Sequence, residues 1–214
     1  MPALLLGAVA ATMAGPLLAG LASRSSHARH FVEGLVMVLV AGLSLLHLLP
    51  HAIRAGGMLA GGAALVGAFG PMLLDRLGPK RSIGVALALL GVHSALDGSA
   101  LAIVQPEAGE ALGLAILAHR LPVGVLVYAR LSEQRGSKSG WIAVTLLALA
   151  TVGGFAAGSE IVPPEWLEGL IEGLVAGALL HVLAREQGLA RPLPAELLGG
   201  AIGLVLLIGF SIYG

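Results

Sequence analysis

The chain has 214 residues, of which 57% are hydrophobic and only 11% are charged, and its formal net charge is zero. Soluble domains carry roughly 25% charged residues, so this composition excludes an ordinary soluble fold and predicts an all-α integral membrane protein. The absence of cysteine excludes disulfides and thiolate metal sites. Aromatic residues make up only 4% and no basic face is evident, so we expect no nucleic-acid partner.

Eight apolar segments each approach the roughly 20 residues that a helix needs to cross a bilayer. In chain order they are 2–22, 31–53, 57–76, 82–103, 109–130, 140–159, 165–184 and 195–213. The first begins without a preceding basic segment, so we expect a spanning helix there and not a cleavable signal peptide. The pattern predicts one polytopic membrane domain over residues 1–214, with the lipid bilayer as its main partner.

The basic residues lie mainly on one side of these segments. Alternating the connections between two sides puts Arg54 alone on one side, while Arg120 lies within a segment. The other side receives Arg24, Arg29, Arg76, Lys80, Arg81, Arg130, Arg135, Lys138, Arg185 and Arg191. Lysine and arginine accumulate in cytoplasmic loops. We therefore expect both termini to lie outside the cytoplasm. We also expect the membrane to be a prokaryotic plasma membrane.

The fourth and fifth segments carry related polar stretches. His93 begins H-S-A-L-D-G, and His119 begins H-R-L-P-V-G. His93 and Asp97 are four residues apart, so they share one helical face. At 1.5 Å per residue, His93 lies ~16 Å from one membrane surface and His119 ~15 Å from the other. We predict that His93, Asp97 and His119 converge near the midplane, where such residues usually mark an ion path or a proton relay.

These stretches resemble the paired motifs of the ZIP family of divalent-metal transporters. The matching residues are His93, Asp97 and Gly98 in the fourth segment, His119, Pro122 and Gly124 in the fifth, and His47-Leu48-Leu49-Pro50 at the end of the second. The resemblance implies eight helices in a 3+2+3 arrangement with an inverted repeat. It also implies a midplane metal site and transport of metal toward the cytoplasm by movement of one helix bundle against another.

The central residues offer two imidazoles and one carboxylate. This set suits zinc, and it also suits iron or manganese as neighbouring divalent ions. The metal is expected as a transported substrate, so we do not expect an enzyme. An alternative is a hydrogen-bond network without metal, in which Asp97 pairs with Arg120.

Three further histidines are candidate metal ligands. His47 and His51, four residues apart, are predicted to share a helical face near the outer end of the second segment, as an auxiliary metal site or as interfacial histidines. His181 lies toward the cytoplasmic end of the seventh segment, where it either assists metal exit or packs as an ordinary histidine. Glu172 lies within the same segment and needs a partner, such as a proton or a histidine.

The resemblance also exposes departures at the site. Ser94 stands where the family usually has asparagine, Arg120 where it has an acidic or polar residue, and Val123 where it has a carboxylate. We therefore expect at most one bound metal, with Arg120 as a tethered cation beside Asp97. Two alternatives remain open: a ZIP-fold protein with an altered substrate or without metal transport, and an intramembrane metal-dependent hydrolase. A homodimer is an open alternative to a monomer.

Overall fold

The computed structural model of the protein describes residues 2–76, 79–103, 106–161, 164–186 and 193–213. These residues are almost entirely helical and include no β-strand, so the all-α prediction is confirmed. The α-helices are α1 (Pro2–Ala22), α2 (Ser26–Leu43), α3 (Leu49–Arg76), α4 (Pro79–Ile103), α5 (Pro106–Arg135), α6 (Ser137–Ala157), α7 (Glu165–Glu186) and α8 (Pro194–Tyr213). A π-helical turn, Ser44–Leu48, joins α2 to α3, and a 3-10 turn, Gly158–Ile161, follows α6.

The helices have the dimensions and surface of a membrane protein. Within the described residues, five stretches are long and apolar enough to cross a bilayer: Ala3–Ala22, Ser26–Leu73, Ile83–Ala102, Ser137–Ala157 and Glu165–Ala184. Large apolar side chains such as Met58, Phe69 and Val205 are exposed on the outside. A soluble monomer rarely exposes so much apolar surface, whereas lipid solvates it. Helix α5, which contains the buried Arg120, is not among the five stretches.

The chain forms two compact units. The first unit comprises Met1–Leu39, Ser94–Val162 and Arg191–Gly214, and the second comprises Val40–His93 and Pro163–Ala190. Helix α4 continues without interruption from the second unit into the first between His93 and Ser94. The prediction of a single membrane domain stays a prediction.

Close backbone contacts at glycine hold the first unit together. A Cβ atom on Gly124 of α5 would overlap the carbonyl oxygen of Thr12 in α1, and one on Gly98 of α4 would overlap the carbonyl oxygen of Thr151 in α6. Small residues allow this approach in membranes, where packing replaces the hydrophobic effect between helices. Helix α4 therefore packs closely against α6, and α5 packs closely against α1. Helices α4 and α5 carry the polar residues described below.

The order of the contact positions along two neighbouring helices shows whether the helices of the first unit run in the same direction. Gly7 of α1 faces Leu117 of α5, and Gly15, further along α1, faces Gly124, further along α5. The two helices are therefore parallel. The same reasoning applies to α2 and α8, because Gly199 meets Phe31 and Gly203 meets Leu35, so these helices are parallel as well.

The second unit is built on a seam of small residues between α3 and α7. Three glycines at intervals of four residues on α7 lie directly against the α3 backbone: Gly169, Gly173 and Gly177. Gly173 meets Ala60 and Gly177 meets Ala64, so this part of α3 runs parallel to α7. Such a small-xxx-small pattern allows the closest helix–helix packing available in a bilayer.

The chain reverses its course at Gly57. This residue has φ 58° and ψ −144°, a backbone conformation open in practice only to glycine. Before it, His51 contacts Glu172 and Ala52 contacts Gly169, whereas after it Ala60 contacts Gly173. Because residues 51 and 60 lie beside neighbouring positions of α7, the two parts of α3 run in opposite senses. The break falls at the start of the predicted segment 57–76.

Candidate metal centre

Helices α4 and α5 bring together the three residues predicted from the paired motifs. Each of His93, Asp97 and His119 offers a ligand atom, and these atoms all lie within 4.8 Å of one another. His93 and Asp97 are one turn apart on the continuous helix α4, which fixes their relation, and His119 comes from α5. The predicted convergence of the three side chains is confirmed. Among the described residues, these three form the group of histidine and acidic side chains whose ligand atoms lie that close to one another.

The cluster lies inside the protein. His93 is 6% exposed, and the side chains of Asp97 and His119 are 12% and 15% exposed. Burying charged or polar groups without partners is costly, so the neighbours of these side chains determine what the site can bind. The two imidazoles and one carboxylate are the donors that zinc and similar divalent ions use.

His119 and Asp97 are joined directly. The His119 Nε2 atom lies 3.0 Å from Asp97 Oδ2. This contact is a hydrogen bond when Nε2 carries the hydrogen and donates it to the carboxylate. Nε2 in that tautomer has no lone pair for a metal, so coordination through it requires either loss of the proton or its transfer to Nδ1.

Arg120 contacts the same carboxylate oxygen of Asp97 as His119 does. Its NH2 atom donates to Asp97 Oδ2 over 2.7 Å, and the arginine is 2% exposed. NH1 donates to the hydroxyl oxygen of Ser94 over 2.8 Å, and NH2 also donates to the Ser94 carbonyl oxygen over 3.3 Å. The predicted pairing of Arg120 with Asp97 is therefore confirmed. The two contacts to Ser94 were not predicted, although a guanidinium inside an apolar helix needs nearby oxygen acceptors.

The Arg120–Asp97 pair sets the electrostatics of the centre. Opposite unit charges ~4 Å apart attract by about 4 kcal/mol at an effective dielectric near 20, and the cost of removing both from water offsets part of this gain. A divalent cation at the same distance from Arg120 would be repelled about twice as strongly. The Nε atom of Arg120 is buried and has no hydrogen-bond partner in the described part of the chain.

A bound metal requires its ligand atoms to lie close together. Ligand atoms about 2.1 Å from a tetrahedral zinc lie roughly 3.4 Å from one another. The three ligand atoms here all lie within 4.8 Å of one another, and His119 Nε2 lies 3.0 Å from Asp97 Oδ2. A metal bound by Asp97 would compete with Arg120 for the carboxylate. Val123 is buried and apolar, so it adds no ligand.

A second polar contact lies in the second unit. The His51 Nδ1 atom is 2.7 Å from the Glu172 carboxylate, which joins the first part of α3 to α7. The histidine side chain is half-exposed, and the glutamate is 14% exposed. The prediction that Glu172 has a partner such as a histidine is confirmed. A role of His51 as an auxiliary metal ligand stays a prediction.

The other two predicted ligands lie outside the triad. His47 is exposed and belongs to the π-helical turn Ser44–Leu48. A π-helical turn inserts an extra residue into the helical repeat, so the register that predicted one shared face for His47 and His51 changes between them. His181 is buried, and its Nε2 atom has no hydrogen-bond partner among the described residues. Metal binding at both residues stays a prediction.

Comparison with known proteins adds no assignment. No family model matches the chain, and no curated protein matches it. The likeness to ZIP transporters therefore rests on the short stretches around His93, His119 and His47.

Proposed function

We propose that this protein transports divalent transition-metal cations, zinc or its neighbours iron and manganese, across a membrane toward the cytoplasm. The observation that carries the proposal is the buried group of His93, Asp97 and His119, whose ligand atoms lie within 4.8 Å of one another. Ionisable residues inside a membrane are costly and usually serve a function. Here the metal is the substrate, and the three side chains bind it during its passage.

We propose that eight spans of alternating direction enclose the path of the metal, and that both termini lie outside the cytoplasm. The reversal at Gly57 separates α2 and the first part of α3 from the later part of α3, which supports counting them as two spans. Alternation demands that odd-numbered spans share one direction and even-numbered spans the other. The parallel pairs α1 with α5 and α2 with α8 support this rule, as does the parallel course of α7 and the later part of α3. The excess of basic residues in the connections on one side supports the assignment of that side to the cytoplasm.

The small-residue contacts suit a transporter that moves by rigid units. Helices that touch through backbone atoms, as α3 and α7 do at Gly173, form stiff pairs with little side-chain rearrangement between them. Transporters often alternate access by rocking such packed groups around a fixed binding site. The close packing of α3 against α7 supports transport by bundle movement.

The experiment is metal uptake into proteoliposomes that contain the purified protein and a trapped fluorescent metal indicator. Zn²⁺ uptake should exceed that of empty vesicles, and His93→Ala and His119→Ala should each reduce it at least about tenfold, because loss of a ligand weakens binding. His27→Ala changes an exposed histidine near the start of α2 and serves as the matched control. Uptake by the wild type equal to that of empty vesicles for zinc, iron and manganese would reject the proposal.

One observation favours a second candidate function. Asp97 already forms an ion pair with Arg120 at 2.7 Å, so the centre is electrically neutral without a metal. In this alternative the chain keeps a transporter fold, but Arg120 permanently replaces the metal and transport is lost. The wild type would then bind no divalent metal in equilibrium dialysis, at concentrations where transporters of this kind are saturated.

A further inference from the structure

We infer that Arg120 is a tethered counter-cation that alternates with the transported metal on Asp97 and limits the centre to one metal ion. The inference rests on the proposed function, because it concerns the same centre. Its basis is that one carboxylate oxygen, Asp97 Oδ2, accepts the Arg120 guanidinium at 2.7 Å while belonging to the group that offers ligands to a metal. A metal and Arg120 cannot both hold this oxygen as their main partner.

Ser94 gives the guanidinium a place to remain when Asp97 is released. NH1 donates to the Ser94 hydroxyl at 2.8 Å, and NH2 has the Ser94 carbonyl oxygen within 3.3 Å in addition to Asp97. When a metal takes the carboxylate, both terminal nitrogens keep an oxygen acceptor on Ser94. Arg120 can therefore exchange partners by a small change in side-chain torsions and does not need to leave the protein interior.

The exchange controls the charge of the centre through the cycle. Without metal, the negative charge of Asp97 and the positive charge of Arg120 cancel. With a divalent ion bound, the same residues and the ion sum to two positive charges in a buried place, where repulsion is only weakly screened. This charge lowers the affinity for the first metal and disfavours a second, and the buried Val123 adds no ligand to compensate. The resulting weak binding suits release on the far side of the membrane.

The test measures zinc affinity and stoichiometry by calorimetry and by metal analysis of purified protein in detergent. Arg120→Gln keeps hydrogen-bond donors and removes the charge, so it should bind zinc roughly 10- to 100-fold more tightly than the wild type. The wild type should bind one zinc ion. The matched control is Arg130→Gln on the same helix, which removes an arginine whose contact with Glu133 is at the surface and should leave the affinity unchanged.

The outcomes separate this inference from the proposed function. Equal zinc affinity in the wild type and Arg120→Gln would overturn the counter-cation and leave transport intact. Zinc binding by Arg120→Gln but not by the wild type would mean a permanent lock, which contradicts alternation. No binding by either protein would reject both the centre and the inference. Two zinc ions bound by the wild type at this centre would also overturn it.

A measurement on the unaltered protein covers the case in which Arg120→Gln does not fold. The guanidinium ¹⁵N resonances of Arg120 can be assigned by comparison with Arg120→Lys, which keeps the charge of the buried pair. Zinc should shift these resonances as NH2 loses Asp97 and keeps Ser94, while those of Arg130 should stay in place. Saturating zinc that leaves the Arg120 resonances unmoved would contradict the exchange.

Discussion

Arg120 of α5 and Asp97 of α4 form an ion pair across two helices, with NH2 and Oδ2 separated by 2.7 Å and the arginine 2% exposed. A buried pair of this kind gives little net stability, because desolvation offsets much of the attraction. Its two members nevertheless depend strongly on each other, since either one alone would be an uncompensated charge in an apolar interior. The pair therefore links the stability of the protein to the occupancy of the centre.

We expect Asp97→Asn to destabilise the metal-free protein by about 3 kcal/mol, because it leaves the buried Arg120 charge without its counter-charge. Chemical unfolding in detergent, followed by circular dichroism, measures the change. Adding Arg120→Gln to Asp97→Asn removes the lone charge and should restore most of the loss. Double-mutant coupling near zero between these positions would show that the pair is not formed.

The matched control for this pair is Glu133→Gln. Glu133 is mostly exposed and contacts Arg130 at 3.5 Å on the surface of α5. Surface ion pairs contribute from zero to about 1 kcal/mol, so this substitution should leave the unfolding midpoint nearly unchanged. A loss as large as that of Asp97→Asn would indicate that burial does not determine the effect.

We expect Gly98→Ala to destabilise the protein by about 1–3 kcal/mol, the usual cost of overpacking. Its Cβ would overlap the carbonyl oxygen of Thr151 and push α4 from α6, which also displaces the adjacent Asp97. Thermal unfolding in detergent measures the loss. Gly91→Ala on the same helix is the control, because nothing lies within 4 Å of its added Cβ. Alanine there should be neutral or slightly stabilising, and equal effects at both positions would contradict the close α4–α6 contact.

Gly57→Ala tests the reversal in α3. At φ 58° and ψ −144° a side chain is strained, even though no atom lies within 4 Å of the added Cβ. The expected cost is about 1–3 kcal/mol, again measured as a lower unfolding midpoint. Gly61→Ala is the control in the same helix, where the added Cβ also meets open space and the backbone is helical. If Gly57→Ala is as stable as Gly61→Ala, the helix does not reverse there.

Part of this molecule could be predicted from sequence because local rules are sufficient for it. Helical content follows from the apolar runs, and the four-residue spacing of His93 and Asp97 predicts their shared face. The proximity of Arg120 to Asp97 was predicted from the resemblance to ZIP transporters, because Arg120 directly follows His119 and Asp97 belongs to the same expected site. The break beginning at Gly57 followed from the gap between two apolar segments.

The remaining features depend on information that is not local. Whether His51 or another histidine meets Glu172 depends on how α3 lies against α7, since these residues are 121 positions apart. The π-helical turn Ser44–Leu48 has no clear signature in its leucine-rich sequence, so the shared face of His47 and His51 was inferred from an uninterrupted helical repeat. Ser94 was identified only as a departure from the family pattern. Its contacts with Arg120 depend on how closely α4 and α5 approach each other.

The final prediction concerns the sidedness of the helix ends, for which the absence of cysteine provides a clean background. Ser25→Cys and Ser137→Cys lie in connections assigned to the cytoplasm by the basic residues, whereas Arg54→Cys and Glu160→Cys lie in connections assigned to the outside. All four positions are exposed. In intact cells, a membrane-impermeant maleimide should label the second pair and leave the first pair unlabelled until the cells are opened. Labelling of Ser137→Cys in intact cells would invert the orientation, and labelling of Ser25→Cys without Ser137→Cys would show that the alternation of eight spans is wrong.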